Sequence, residues 1–149
     1  MNVHSIVERT IKKYKTRSPY DLADLMGISI SRCELGTIRG YYSKKFRIKQ
    51  IVLNCNLSEN DERFVLAHEL GHAIMHENLN TPFLTEKTML SKNKYEREAN
   101  TFAIELLVPD TEIVENPDLT LGQLARLTGY SEDLLKCKKI FSVNQGGTQ

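Results

Sequence analysis

The N-terminal segment, "MNVHSIVERTIKKYK", combines apolar and polar residues with the spacing of an amphipathic helix. One face of that helix carries Val3, Ile6, Val7, Ile11 and Tyr14. A second, short helix is predicted in "SPYDLADLMGIS", where Ser18 can cap the helix, Pro19 suits its first position and Gly27 can end it. The chain is therefore expected to open with two helices, of which the first packs against a core.

The next segment has the composition of β-strands. "ISISRCEL", "TIRGYYS" and "FRIKQIVLN" are rich in β-branched and aromatic residues, with Gly36 and Gly40 near the bends. They predict three or more short strands of a small sheet. The stretch that follows, "NLSENDERFVLAHELGHAIMH", is typical of a helix capped by Ser58, with acidic residues in its first turn.

Helices are also predicted in the second half of the chain. After a loop over one face at residues 78–91, a helix is expected from about Ser91 to Leu107, because Val108 precedes a proline and disfavours the helical conformation. "TLGQLARLTGYSEDLLKCK" predicts two short helices, capped by Thr120 and Ser131 and joined around Gly129 and Tyr130, and "NQGGTQ" predicts a frayed tail. Helices, a small sheet and further helices indicate an α+β fold.

Composition narrows the functional classes. The chain has 149 residues, 26% of them charged, and a net charge of +1, which argues against a grip on nucleic acid by whole-molecule charge. A local basic patch is still compatible with this balance. No apolar run is long enough to span a bilayer, and the N-terminus lacks the apolar stretch of a signal peptide. The chain has three cysteines, Cys33, Cys55 and Cys137, which are far apart in the sequence. This pattern favours reduced thiols in a cytosol. The cysteines are therefore predicted to pack in the core as small hydrophobic residues.

The motif "HELGH" suggests a metal site within the apolar helix. His68 and His72 are four residues apart, so their side chains lie about 40° apart and one turn along the helix. Two imidazoles on one ridge can hold a single tetrahedral ion. Glu69 lies about 100° from His68 and is better placed to reach a water at the metal, as in zinc proteases. The alternative is a pair of core histidines satisfied by hydrogen bonds.

A catalytic zinc site needs a third protein ligand. The long metzincin pattern would need glycine at position 75 and histidine at position 78, where the chain has Met75 and Asn78. His76 lies two turns beyond His68, about 12 Å along the axis, so one ion cannot bridge them. His76 is predicted to be a polar or capping residue near the helix end.

The third ligand is expected from "KYEREANTFAIELL". Glu96 borders the apolar face of this helix, whereas Glu98 lies about 200° further round and shares the outer, solvated side with Glu105. Glu96 is therefore the better ligand. Asn100, four residues after Glu96, could accept the N–H from the far nitrogen of a ligand histidine, with His68 as the first choice.

"RFVLAHELGHAIMH" followed by "YEREANTFAIELLVP" resembles the ImmA/IrrE family of metallo-endopeptidases, and the resemblance spans roughly residues 45–140. It implies that His68, His72 and Glu96 bind Zn²⁺ and that Glu69 is the catalytic base. Compact members of the family, often encoded by phages and integrative elements, cleave helix-turn-helix repressors and act as anti-repressors, and others cleave repressors of stress-response genes. By this resemblance the partner is a protein, a repressor encoded nearby, in the cytoplasm, with no direct binding to nucleic acid or membrane.

The resemblance also implies a zincin-like metalloprotease core with a short antiparallel or mixed sheet, an active helix, a second ligand helix and a C-terminal helical hairpin. We expect a single zinc-peptidase domain over residues 1–149. Its parts are N-terminal helices at 1–28, the catalytic core at 29–109, the helix pair at 110–140 and a tail at 141–149.

Three details of the mechanism stay open in the sequence. A substrate peptide could add to an edge strand, for which "QIVLNC" is the first candidate because it leads into the active helix. The oxyanion could be stabilised by Tyr41, Tyr42, Tyr95 or His76. The C-terminal helix pair is interpreted as a hairpin that packs the core or docks the substrate. The competing interpretations are a helix-turn-helix DNA-binding regulator with a structural zinc site, and a metal-dependent toxin or small-molecule hydrolase.

Overall fold

The computed structural model describes residues 2–78 and 93–146. The loop predicted at 78–91 therefore lies, from residue 79 onwards, outside the described residues. Both predicted N-terminal helices are present, as α1 (Val3–Tyr14) and α2 (Pro19–Leu25). The apolar face of α1 packs against the core, and Ser18 caps α2 by accepting a hydrogen bond from the amide of Asp21.

In the described part of the chain, three strands form one mixed sheet: β1 (Ser29–Cys33), β2 (Gly40–Lys45) and β3 (Ile48–Asn54). The strand order is β1-β3-β2, with β3 parallel to β1 and antiparallel to β2. Strand β3 contains most of "QIVLNC" and lies at the centre of the sheet, so its backbone is paired on both sides. The prediction that this strand is the free edge is wrong. The connection over residues 34–39 crosses the end of the sheet, so that β3 can pair between β1 and β2.

Of the two long helices, the first packs against the sheet and the second packs against the first. Helix α3 (Glu59–Met75) begins after its cap Ser58, and α4 (Lys94–Leu107) begins after its cap Asn93. The helices pack closely because Gly71 has no side chain. A Cβ atom at Gly71 would lie 3.0 Å from Cβ of Phe102, closer than most real contacts. The glycine in "HELGH" thus determines how near α4 can approach the histidines.

Within residues 108–146, which the structure describes, four short helices follow: α5 (Asp110–Val114), α6 (Leu121–Thr128), α7 (Glu132–Leu135) and α8 (Lys139–Gly146). The predicted caps Thr120 and Ser131 are both used, and Gly129 ends α6 with φ of +82°. The frayed tail is predicted wrongly in its first part, because α8 continues to residue 146. Phe141 packs partly against the core, and that contact supports a helix in a segment whose local sequence does not favour one.

The result is a small α+β fold with the sheet on one side of the two long helices. The cysteines are free, but Cys33 and Cys55 are exposed and only Cys137 is partly buried, so the prediction of core packing is wrong for two of the three. Cys33 is the last residue of β1, a strand that is mostly exposed, and Cys55 directly follows the end of β3. Among the residues that the structure describes, no helix combines the length and apolar composition needed to cross a bilayer.

Candidate metal centre

The two histidines of "HELGH" lie in the middle of α3 and are almost completely buried, with exposed fractions of 0% for His68 and 2% for His72. The apolar residues around them place this part of the helix in the core. Burying two imidazoles without partners would cost free energy, so each of their nitrogens must find one. The partners come mainly from α4.

Glu96, in the first turn of α4, faces both histidines. Its Oε2 lies 3.1 Å from Nε2 of His68, and its Oε1 lies 2.9 Å from Nε2 of His72. One ligand atom from each of the three residues lies within 4.8 Å of the other two. In a tetrahedral zinc site with bonds of about 2.0–2.1 Å, ligand atoms are about 3.3 Å apart. The spacing therefore fits a shared ion after a small expansion.

The contact between His72 and Glu96 is unusual for a hydrogen bond. Although 2.9 Å apart, Nε2 of His72 and Oε1 of Glu96 do not have hydrogen-bond geometry, and neither finds another hydrogen-bond partner in the described part of the chain. Buried polar atoms left in this way are costly. A cation between them would satisfy both, and two imidazoles with one carboxylate form a donor set that zinc accepts. The residues present therefore fit a metal ion.

The charges at the site suit metal binding. Burial alone would raise the pKa of Glu96, but its close contacts with the rings of His68 and His72 outweigh burial and lower the pKa to about 2. Burial lowers the pKa of His68 and keeps its ring neutral. An ionised carboxylate and a neutral imidazole are the forms in which these side chains bind metals.

Glu69 lies in the same buried layer but outside this group. It is 0% exposed, and neither carboxylate oxygen has a hydrogen-bond partner among residues 2–78 and 93–146. Burial, and then the negative charge of Glu96, raise the pKa of Glu69 well above its ordinary value. The backbone of Tyr42 on β2 opposes this rise in part, without a hydrogen bond of normal geometry. An unpaired buried carboxyl group with a raised pKa is suited to transfer protons.

The neighbours of the histidines were only partly anticipated. Nδ1 of His68 lies 2.7 Å from Oδ1 of Asn100, the contact that the sequence suggested. His76 ends α3, where its amide donates to the carbonyl of His72, and its ring also lies against that residue with 3.1 Å between the two Nδ1 atoms. Nε2 of His76 lies 3.2 Å from Oε1 of Glu98. The separation of four residues between His72 and His76 was the available signal for the ring contact.

The outer side of α4 is not the solvated face that the sequence suggested. Glu105 is 2% exposed, because His4 on α1 and the backbone amide of Lys139 at the start of α8 both contact its carboxylate. Its carboxylate contacts Nδ1 of His4, and Nζ of Lys138 lies 3.4 Å from its Oε1. Nζ of Lys138 is also 2.9 Å from Asp110. His4, Glu105 and Asp110 are spaced closely enough to suggest a second metal site, but the Lys138 ammonium already supplies the cation there.

Among the candidates for oxyanion stabilisation, His76 already contacts partners through both ring nitrogens. Tyr42 is 1% exposed, and its hydroxyl has no hydrogen-bond partner within the described ranges. Tyr95 is 46% exposed, and its ring makes a T-shaped contact with that of His76, with 4.9 Å between the ring centroids.

Comparison with known proteins identifies the family. Residues 23–137 match the model of peptidase family M78, described as the IrrE N-terminal-like domain. This chain belongs to that family. The matched region contains α3 and α4, and with them His68, His72 and Glu96.

Two curated relatives agree with this assignment. The chain is 43% identical over 141 residues to an uncharacterised immunity region protein 2 of Bacillus phage phi105, which covers 93% of this chain and 89% of the relative. It is 32% identical over 109 residues to the metallopeptidase ImmA of Bacillus subtilis (strain 168), covering 73% of this chain and 64% of that protein. Family membership and the candidate site together support a metallopeptidase, and the resemblance to the ImmA/IrrE family is confirmed.

Proposed function

We propose that this protein is a zinc-dependent endopeptidase that cleaves a helix-turn-helix transcriptional repressor and so acts as an anti-repressor. One observation carries the proposal: ligand atoms of His68, His72 and Glu96 converge within 4.8 Å, and the unpaired carboxyl group of Glu69 is buried in the same layer. In a peptidase family, this arrangement serves hydrolysis of a peptide bond better than a purely structural ion.

His68, His72 and Glu96 would hold the zinc ion, and three protein ligands are the number typical of catalytic rather than structural zinc sites. When bound, zinc supplies Lewis-acid polarisation of the scissile carbonyl and lowers the pKa of water. Glu69 takes a proton from the attacking water and later delivers it to the leaving amine. The raised pKa of Glu69 suits delivery of the proton to the leaving amine. A nearby divalent cation would stabilise the ionised form of Glu69, which is the form needed to take the proton from water.

In this proposal the substrate backbone binds along β2 rather than β3. Strand β2 lies at an edge of the sheet, and the backbone of Tyr42 on this strand lies close to Glu69. The pairing of Lys45 with Ile48 next to the turn directs the backbone N–H of Lys44 away from β3. Lys44→Pro should therefore keep the fold and slow cleavage, whereas Lys44→Ala should not. Equal cleavage by both variants would remove β2 from the proposal.

Two findings support a repressor as the substrate. One relative is named for a phage immunity region and another is named a metallopeptidase, so the family combines these two contexts. The net charge of +1 suits a protein substrate better than nucleic acid. A repressor substrate places the reaction in the cytoplasm.

The DNA-binding alternative has little support in the fold. A recognition helix must present its side chains to a groove. Helix α7 has only four residues, and its Leu134 and Leu135 are buried.

The decisive experiment is co-expression of this chain with the repressor encoded next to its gene. The wild-type protein should cleave the repressor and contain one zinc per chain, and Glu69→Gln should keep the zinc but stop cleavage. Glu62→Gln is the matched control, because Glu62 lies on the same helix but bonds Arg32 and Tyr20 instead of the site. Cleavage by Glu69→Gln, or wild-type protein without stoichiometric metal, would refute the proposal.

A further inference from the structure

A chain of three polar groups continues outward from His72. Nδ1 of His72 lies 3.1 Å from Nδ1 of His76, and Nε2 of His76 lies 3.2 Å from Oε1 of Glu98. The side chains of His76 and Glu98 are only 3% and 12% exposed, so water has little access to the chain. From the sequence alone His76 is expected to be a capping residue and Glu98 to lie on a solvated face, and the proposed mechanism uses neither side chain.

The positions of the protons follow from this order. Nε2 of His72 faces Glu96 and would be the metal-binding nitrogen, so Nδ1 of a neutral His72 ring carries the proton. This N–H can only donate to an unprotonated Nδ1 of His76. The proton of His76 is then on Nε2, where it donates to the carboxylate of Glu98. Each of the two contacts contains one proton, and the chain ends on a negative charge.

The backbone holds the side chains of His72, His76 and Glu98 in fixed positions. His76 ends α3, and its amide donates to the carbonyl of His72 over 2.7 Å. Glu98 lies on α4, two residues after Glu96. The ring of Tyr95 lies against the His76 ring at 69° and 4.9 Å between centroids. The chain therefore joins the two ligand helices at a second point and fixes the orientation of the His72 ring.

We propose that His76 and Glu98 are positioning residues that fix the tautomer and ring orientation of His72 for metal binding. The two ligand histidines are supported differently: the amide oxygen of Asn100 faces His68, whereas His72 is linked through a second imidazole to a carboxylate. A carboxylate at the end of the chain raises the basicity of the metal-binding nitrogen, and loss of such outer partners commonly weakens metal binding about 10–100-fold. This inference rests on the proposed metallopeptidase function.

Zinc affinity, measured by competition with a chelating dye, tests the inference without relying on proteolysis. His76→Phe keeps a ring against Tyr95 but removes the acceptor, and should weaken zinc binding by about 10–100-fold. Glu98→Ala should weaken it by about tenfold, and Glu98→Gln should recover part of that loss, because its amide oxygen still accepts the hydrogen bond. Glu62→Gln should leave zinc affinity unchanged while lowering stability.

Nitrogen-15 NMR of the histidine rings in the zinc-loaded protein gives a second readout. We expect His72 to be protonated on Nδ1 and His76 on Nε2, with the His76 tautomer less populated in Glu98→Ala. If His76→Phe does not fold, the Glu98 variants decide. Zinc affinities within about twofold of wild type in the Glu98 variants, or a His76 ring protonated on Nδ1, would overturn the positioning role alone. A wild-type protein that binds no zinc would overturn the proposed function as well.

Discussion

The close packing of α3 on α4 makes Gly71→Ala a sharp test of how the fold builds its site. A Cβ atom at position 71 would lie 3.0 Å from Cβ of Phe102 and 3.2 Å from Cγ and Cδ1 of the same residue. Carbon atoms pack comfortably at about 3.5–4.0 Å, so α4 must retreat by roughly half an ångström. The atom that is approached most closely is next to the backbone of Phe102 and cannot swing aside.

Two opposing terms set the effect on stability. Overpacking of this kind costs about 1–3 kcal/mol, and replacing glycine by alanine inside a helix returns about 1 kcal/mol. The net change is a destabilisation of about 0–2 kcal/mol. Metal binding should weaken as well, because α4 carries Glu96 and metal–ligand distances tolerate shifts of only about 0.2 Å. Binding an ion should pull α4 back toward α3 and restore part of the overpacking strain. If that part is about 1.4 kcal/mol, zinc affinity falls about tenfold.

The assay is zinc affinity together with urea denaturation of the metal-free protein. Gly122→Ala is the matched control, since the close atom there, at 3.0 Å, is Oε1 at the flexible end of Glu132. Gly122→Ala should keep its zinc affinity and its stability, or gain up to about 1 kcal/mol. If Gly71→Ala behaved like Gly122→Ala in both measurements, the role of Gly71 in setting the approach of α4 would be refuted.

Three further predictions concern stability. Glu105→Ala should lower the free energy of unfolding by about 1–3 kcal/mol, because it removes one of the two carboxylate partners of the buried Lys138 ammonium while Asp110 remains. Adding Lys138→Met should recover part of that loss in urea denaturation. The hydrogen bonds from Arg32 lower the pKa of Glu62 below its ordinary 4.5, so this contact stabilises the fold above about pH 4.5 and is lost as the pH falls through the folded-state pKa. Glu62→Gln should therefore lower Tm at neutral pH and flatten its decline between about pH 5 and pH 3, and parallel Tm curves for wild type and variant would contradict this. Arg47 has φ of +69° in the β2–β3 turn, a backbone conformation that glycine adopts at lower cost. Arg47→Gly should therefore raise the free energy of unfolding by about 0.5–1 kcal/mol. An unchanged urea midpoint would show that this backbone is not strained.

Local patterns in the sequence were enough to place most helices and strands. Caps such as Ser58 and Thr120 act within one turn, and the helical period of "HELGH" places His68 and His72 side by side without help from the rest of the chain. Glu96 was also found in this way, since the apolar face of α4 shows which residues border the core.

The tertiary structure decided everything that depends on which elements meet. Strand order made β3 the central strand, and the packing of α1 on α4 buried Glu105, because neither depends on the local sequence of the element concerned. The carboxylate of Glu98 reaches His76 only because two helices that are separated in sequence lie side by side. The sequence by itself thus determined the candidate ligands and the helices that carry them, through interactions a few residues long. Their approach to within 3.1 Å and their outer partners come from packing between distant segments, which no local period encodes.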